Sequence, residues 1–388
     1  MFLTLHLFFY FYSSKSFTNS SPPLHISETS FLSIFLSSAV GILASILLFF
    51  VSGDVLYACC RSLYNENLLN KTVEKGTQPK IDISNDEFVS RPQVVERIKE
   101  ILQPHKNHSY YHLICGEHGT GKTTLARIAS SEVGCGVIYV DIPADLSGLD
   151  KAFGKAINFA SEKISITGQW LRKIKSDVDT PKISECAKAL KTFRHASEVY
   201  KAKHDKPMVI VYDNVSYLVH KNPKILDILQ DDAKHSADDR KYIAVFVCSE
   251  GSVPQRMESR SAWSRAKTPV MEIGDLSKEE SMEYLIKKRK IKEVDAKKLF
   301  DLVGGRIIEL KTVADDFLKG QEFEGFLDFN KYFDKTEKLN EVLGSNIFSY
   351  HPEKNVVTFQ SQSVKCYVHE NADIFSVPGS HIKIIEVN

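Results

Sequence analysis

The sequence predicts an α/β fold built on a five-stranded parallel sheet, and three observations carry that prediction. Five short apolar runs, Tyr111–Cys115, Val137–Ile142, Met208–Tyr212, Tyr242–Val247 and Val270–Ile273, are each bounded by polar or turn residues. Segments of helical periodicity separate the runs, and strand–helix alternation of this kind covers a parallel sheet on both faces. The first run leads through a glycine-rich loop directly into a helical stretch, YYHLICGEHGTGKTTLA over Tyr110–Ala126.

That loop carries the most specific chemistry in the chain. Gly116, Gly119, Gly121, Lys122 and Thr123 fit the phosphate-loop pattern GxxxxGK[ST]. In that pattern backbone N–H groups, here those from Gly116 through Glu117, His118, Gly119 and Thr120 to Thr124, wrap phosphates. Lys122 reaches the terminal phosphates and the Thr123 hydroxyl holds Mg²⁺. The helix after the loop, read over Thr124–Glu132, points its positive dipole end at the same anion. ATP and Mg²⁺ are the expected ligands.

The whole-chain composition sets bounds. At 388 residues, 43% hydrophobic, the chain is long enough for two or three domains with real cores. A net charge of +1 gives no global argument for nucleic acid or anionic lipid as a partner. Seven cysteines without repeated spacing or a Cys/His cluster argue against a disulfide framework and a zinc site, and fit a reducing compartment.

Residues 1–30 form an N-terminal segment that fits no targeting class, apolar and aromatic over Leu3–Tyr12 and then serine-rich. Phe31–Val51 holds no charged residue in 21 positions, enough helix to cross a hydrocarbon layer of about 30 Å, and is expected to be a single transmembrane helix. The nucleotide-binding part would then face a compartment that contains ATP, cytosol or mitochondrial matrix. Residues 52–84 are largely polar, interrupted by Gly76 and Pro79, and read as a linker.

The nucleotide-binding domain is expected over 85–274. It begins with a helix started by Pro92, with Val94, Val95, Ile98 and Leu102 at helical spacing. The long insertion Leu146–His204 is helical, with Ile183, Cys186, Leu190, Phe193 and Tyr200 on one face. The run KPMVIVYDN ends a strand in Asp213, about 90 residues after the phosphate loop. An aspartate at the carboxyl end of a strand lies at the ligand edge of an open sheet, where Asp213 and Thr123 would share the metal.

With these motifs the chain resembles P-loop NTPases of the AAA+ type, closest to the archaeal-ATPase and STAND signalling branch, over about Phe88–Gly320; the pattern also resembles uncharacterised fungal P-loop proteins. The resemblance implies an extra strand, YIAVFVCSEG, between the phosphate-loop and Asp213 strands, with Ser249 or Glu250 at a sensor position. It implies an arginine finger among Arg256, Arg260 and Arg265, with Arg265 preferred. It also implies a lid sensor after the glycines of LVGGRIIEL, where Arg306 stands at a position in which proline is common. The sequence departs from the family at Asn214, where an acidic residue usually follows the metal-binding aspartate to orient or deprotonate water. Asn214 can orient water by hydrogen bonds, and Glu250 or Glu117 can supply a carboxylate.

A helical lid is expected over 275–320, opened by Ser277 and Glu280 in capping-box spacing. Residues 321–388, with a helix over Lys335–Leu343 and the pair NIFSY and NVVTF as a hairpin, resemble a winged-helix domain, which in related proteins binds DNA or packs on the ATPase; without a basic recognition helix, packing is favoured over DNA contact. The expected function is a membrane-anchored, Mg²⁺-dependent ATPase acting as a nucleotide-driven switch on a protein partner or on itself. A non-hydrolysing ATP-binding scaffold is the alternative from a different class, and a nucleic-acid-remodelling ATPase is a less favoured third.

Overall fold

The computed structural model describes residues 28–81, 88–157, 181–249, 251–320, 348–351, 356–359, 362 and 365. The chain divides into two compact units, residues 1–60 with 164–175, and residues 61–163 with 176–388. In the first unit the described residues belong to helix α1, Glu28–Lys75, which continues into the second. Val40, Leu48, Phe49 and Phe50 on this helix are exposed.

Among the described residues no helix is long and apolar enough to cross a membrane, so the span expected over Phe31–Val51 is not found. The apolar run is not a separate element. It is continuous with turns that carry Asp54, Arg61, Glu66, Lys71 and Glu74, and the helix ends packed into the second unit. Leu69 and Val73, one turn apart, are buried in the core there, so residues 61–75 are a structural helix rather than a linker. Leu69→Ala is accordingly expected to cost about 2–5 kcal/mol in a urea unfolding titration, as for other buried leucines; a flexible linker would give no change.

The second unit holds the parallel sheet. Its strands are β1 His112–Cys115, β2 Val137–Asp141, β3 Met208–Asp213, β4 Tyr242–Val247 and β5 Met271–Glu272, in the order β2-β3-β4-β1-β5. β4 therefore lies between the phosphate-loop strand and the Asp213 strand. Alternate residues of the strands serve two cores. Leu113, Ile138, Ile210, Tyr212 and Phe246 face Phe153, Phe193 and Leu229. These last three come from α4 Leu149–Ala156, α5 Pro181–His204 and α7 Pro223–Asp238, which follows the short α6 Ser216–Lys221. Ile114, Val209, Val211, Ile243 and Val245 face Val95, Ile98 and Leu125, from α2 Pro92–Leu102 and α3 Lys122–Val133. β3 and β4 are buried at every residue, as central strands of a doubly covered sheet must be.

Beyond α8 Ser252–Glu258 and β5, the lid comprises α9 Lys278–Glu283, α10 Glu293–Val303 and α11 Ile307–Leu318 around Tyr284, Leu285, Leu299 and Leu310. The capping box forms as the spacing predicts, with Ser277 Oγ accepting from the Glu280 amide and Glu280 accepting from the Ser277 amide. Val89, ahead of α2, packs into this lid core. Arg91 Nη1 donates to Gly274 O at 2.9 Å, tying the same segment to the hinge between sheet and lid. The expected hairpin is present as β6 Phe348–His351 antiparallel to β7 Val356–Phe359. Residues 1–27, Glu250, the expected helix 335–343 and most of the winged-helix-like region lie outside the described residues.

Candidate nucleotide site

β1 ends at Cys115, and the loop from Gly116 to Gly121 delivers the chain into α3 at Lys122. Gly119 and Gly121 have φ of +85° and +86°, a left-handed conformation that costs glycine nothing. The lid closes the space over them. A Cβ at Gly119 would stand 2.5 Å from Ile308 Cγ2, and one at Gly121 3.1 Å from Ile307 Cδ1. The start of α11 therefore lies directly on the phosphate loop.

Two buried cations meet at this loop. Lys122 Nζ donates to the main-chain oxygen of Glu117 and lies 3.3 Å from Thr120 Oγ1, which itself donates to Glu117 O at 3.0 Å. Arg306 Nη1 donates to His118 O at 2.9 Å, and its Nε and Nη2 pair with Asp275 at the foot of the lid. Lys122 and Arg306 are each only 4% exposed. Both cations are thus partnered by main-chain oxygens of the loop, contacts that an entering phosphate would compete with.

Burial pulls the Lys122 pKa down from 10.5 to about 8, and Arg306 adds a smaller push in the same direction. Between about 8 and 10.5 the unfolded chain holds more protons than the folded one, so stability rises with pH across that window. ATP affinity runs the opposite way, falling as the nucleotide-free protein is taken from about pH 7 to 9 and the ammonium is lost. Calorimetric titrations at several pH values check this, and Lys122→Met is expected to flatten the slope.

Asp213, 1% exposed, sits at the carboxyl end of β3. Its Oδ1 accepts from Thr123 Oγ1 at 3.3 Å and from the Asn214 amide at 2.8 Å, and Tyr139 Oη donates to its Oδ2. Burial raises the Asp213 pKa above the usual carboxylate range, opposed by these hydrogen bonds and reinforced by nearby Asp141. The adjacent Thr123 hydroxyl and Asp213 carboxylate are hard oxygen donors of the kind Mg²⁺ takes, so the residues present fit that ion.

The structure thus brings together the loop, Lys122, Thr123, Thr124 in the first turn of α3, Arg306, Asp213 and Asn214. It does not bring Arg265 to this chain's own loop. Arg265 pairs with Asp238, and its carbonyl accepts from the Tyr111 amide at 2.9 Å, ahead of β1 and therefore at the opposite edge of the sheet. Arg256 pairs with Asp227, and Arg260 with Asp227 and Asp231. The Ser249 amide donates to Ser216 Oγ at 3.0 Å at the end of β4.

Sequence reasoning missed the groups on the β2 side. Asp141 is the register partner of Asp213 on the neighbouring strand. Asn214 Nδ2 donates to its Oδ1 at 2.8 Å, and Arg127 Nη2 to its Oδ2 at 2.7 Å. Arg127 Nε also donates to Tyr139 Oη at 3.3 Å. The signal is present, because VIYVD ends in an aspartate just as VIVYD does, but Ile142 directly after it extends the apparent strand past Asp141.

A family model described as an ATPase domain predominantly from Archaea matches residues 88–313, more than half of the chain. Among curated proteins, a Holliday junction branch migration complex subunit RuvB of Flavobacterium psychrophilum is 34% identical over 103 residues, covering 22% of this chain and 29% of that protein. Among solved structures, a Walker-type ATPase of Pyrococcus abyssi is similar with a TM-score of 0.46 and 13% identity, covering 75% of this chain and 98% of that one. Cdc6p of Pyrobaculum aerophilum is similar with a TM-score of 0.41 and 10% identity, covering 76% and 98%. The match over 88–313 spans the phosphate loop, Asp213 and the lid together, and the chain belongs to this family of ATPase domains found predominantly in Archaea.

Proposed function

We propose that the protein is a Mg²⁺-dependent ATPase whose nucleotide state sets the position of its lid. The observation that carries this reading is the bridge made by Arg306, which holds Asp275 at the lid hinge and the His118 carbonyl of the phosphate loop at once. A γ-phosphate entering the loop competes for Arg306 and Lys122, so the lid contacts differ between ATP, ADP and the empty site. Thr123 and Asp213 would hold Mg²⁺, which when bound neutralises charge on the β and γ phosphates. Lys122, Arg306 and the loop amides orient the triphosphate, and Ile307 and Ile308 lie against the loop glycines. The reading requires a compartment that contains ATP.

The test uses the full chain with ATP and Mg²⁺. Phosphate release above that of Lys122→Ala, with hydrogen exchange over 276–318 that differs between ATP and ADP, is the expected result. Equal release by the two proteins would remove the enzymatic reading. Asn214 favours a second reading, a non-hydrolysing scaffold that uses ATP as a structural ligand, because an amide cannot accept the proton of the attacking water. Tight ATP binding without phosphate release would select it.

A further inference from the structure

Asn214 removes a carboxylate from the position after Asp213, yet another carboxylate lies against it. Asn214 has φ of +61°, a left-handed conformation that asparagine and aspartate tolerate better than other side chains. Its Nδ2 reaches Asp141 Oδ1 on the next strand, while Arg127 holds Oδ2. Each Asp141 oxygen therefore keeps accepting capacity beyond the bond it makes. The side chain is 50% exposed, whereas Asp213 beside it is buried. The site has two aspartates in register at one sheet edge, one enclosed among hydroxyl and amide donors and one open to water.

Resting on the reading of the chain as an ATPase, we propose that Asp141 is the carboxylate that orients the attacking water and takes its proton, with Asn214 and Arg127 as its positioning residues. The water oxygen bonds to the γ-phosphorus, and the bond from that phosphorus to the β–γ bridging oxygen breaks, its electron pair leaving with ADP. The water proton passes to Asp141 and is then released to solvent with inorganic phosphate. Arg127 holds and aims the Asp141 carboxylate, and the Asn214 amide ties the two strand ends together. Here the amide follows Asp213, where the resemblance implies an acid, and the acid ends β2 instead.

That reversal supplies the test. Full-length wild type, Asp141→Asn and the exchange variant Asp141→Asn with Asn214→Asp are compared for Mg²⁺-ATP affinity, binding of ADP with aluminium fluoride, and phosphate release. Asp141→Asn is expected to keep ATP affinity within about threefold, lose binding of the aluminium fluoride complex, and release phosphate about 100-fold more slowly or worse. The exchange variant, which returns a carboxylate to the pair, is expected to recover at least about tenfold over Asp141→Asn. Wild-type turnover retained in Asp141→Asn overturns the role of Asp141 alone. Loss of ATP affinity in Asp141→Asn, or no recovery on exchange, assigns Asp141 a structural role instead. No phosphate release by wild type above Lys122→Ala overturns the ATPase reading, and the role of Asp141 with it.

Discussion

Full-length protein carrying Lys122→Ala is expected to bind Mg²⁺-ATP at least about 30-fold more weakly than wild type, since truncating one partner of a buried charge pair costs about 2–5 kcal/mol. Lys122 is the buried cation at the first turn of α3, aimed across the loop at the Glu117 carbonyl. Without it the loop amides and Arg306 still meet the phosphates, but a desolvated ammonium is lost where charge is densest. A general folding defect is distinguishable from this loss. The depressed pKa of Lys122 means that burial disfavours its charged form, so alanine is not expected to lower the thermal midpoint of the nucleotide-free protein. Weak binding with an unchanged or raised midpoint marks a ligand-site effect; a lowered midpoint would assign Lys122 a structural role.

Asp213→Asn is expected to abolish the Mg²⁺ dependence of ATP binding and to lower phosphate release about 100-fold or more, because the charge that would hold the metal is gone. The amide retains one oxygen for the Asn214 N–H or the Thr123 hydroxyl, and Tyr139 Oη is left to find a different acceptor. The raised pKa of Asp213 already marks the ionised carboxylate as disfavoured by burial, so the neutral amide is expected to fold as well as wild type. ATP titrations with Mg²⁺ and with a chelator, run on both proteins, check this. A variant whose affinity still rises on adding Mg²⁺ would move the metal away from Asp213.

What the sequence revealed and what it hid follow from the range of the interactions. The five strands were legible because a doubly buried parallel strand is a short continuous apolar run, as in Tyr242–Val247. The loop and the Ser277–Glu280 cap were legible because each is a local pattern with a local cause. Leu69 and Val73 were hidden in a polar stretch, where two apolar residues four apart give too weak a period to mark a buried helix face. The apolar run before them suggested a membrane span by its length and its lack of charge; among the described residues no helix meets that requirement, and the helix that contains the run continues through charged turns. Arg265 was placed by resemblance rather than by geometry. Residues that precede a strand of a parallel sheet lie at its amino edge, so Arg265, ahead of β5, stands opposite the loop. VIYVD marks Asp141 as a strand-end aspartate, but its place beside Asp213 is set by strand register, a non-local fact that the run does not carry.

The most direct test of the account is an equilibrium titration of the wild-type full chain with ATP, in the presence of Mg²⁺ and again with a chelator. Saturable binding of one ATP per chain is predicted, weakening when Mg²⁺ is removed and at least about 30-fold weaker in Lys122→Ala. No saturable binding, or binding of equal strength in wild type and Lys122→Ala, would contradict it.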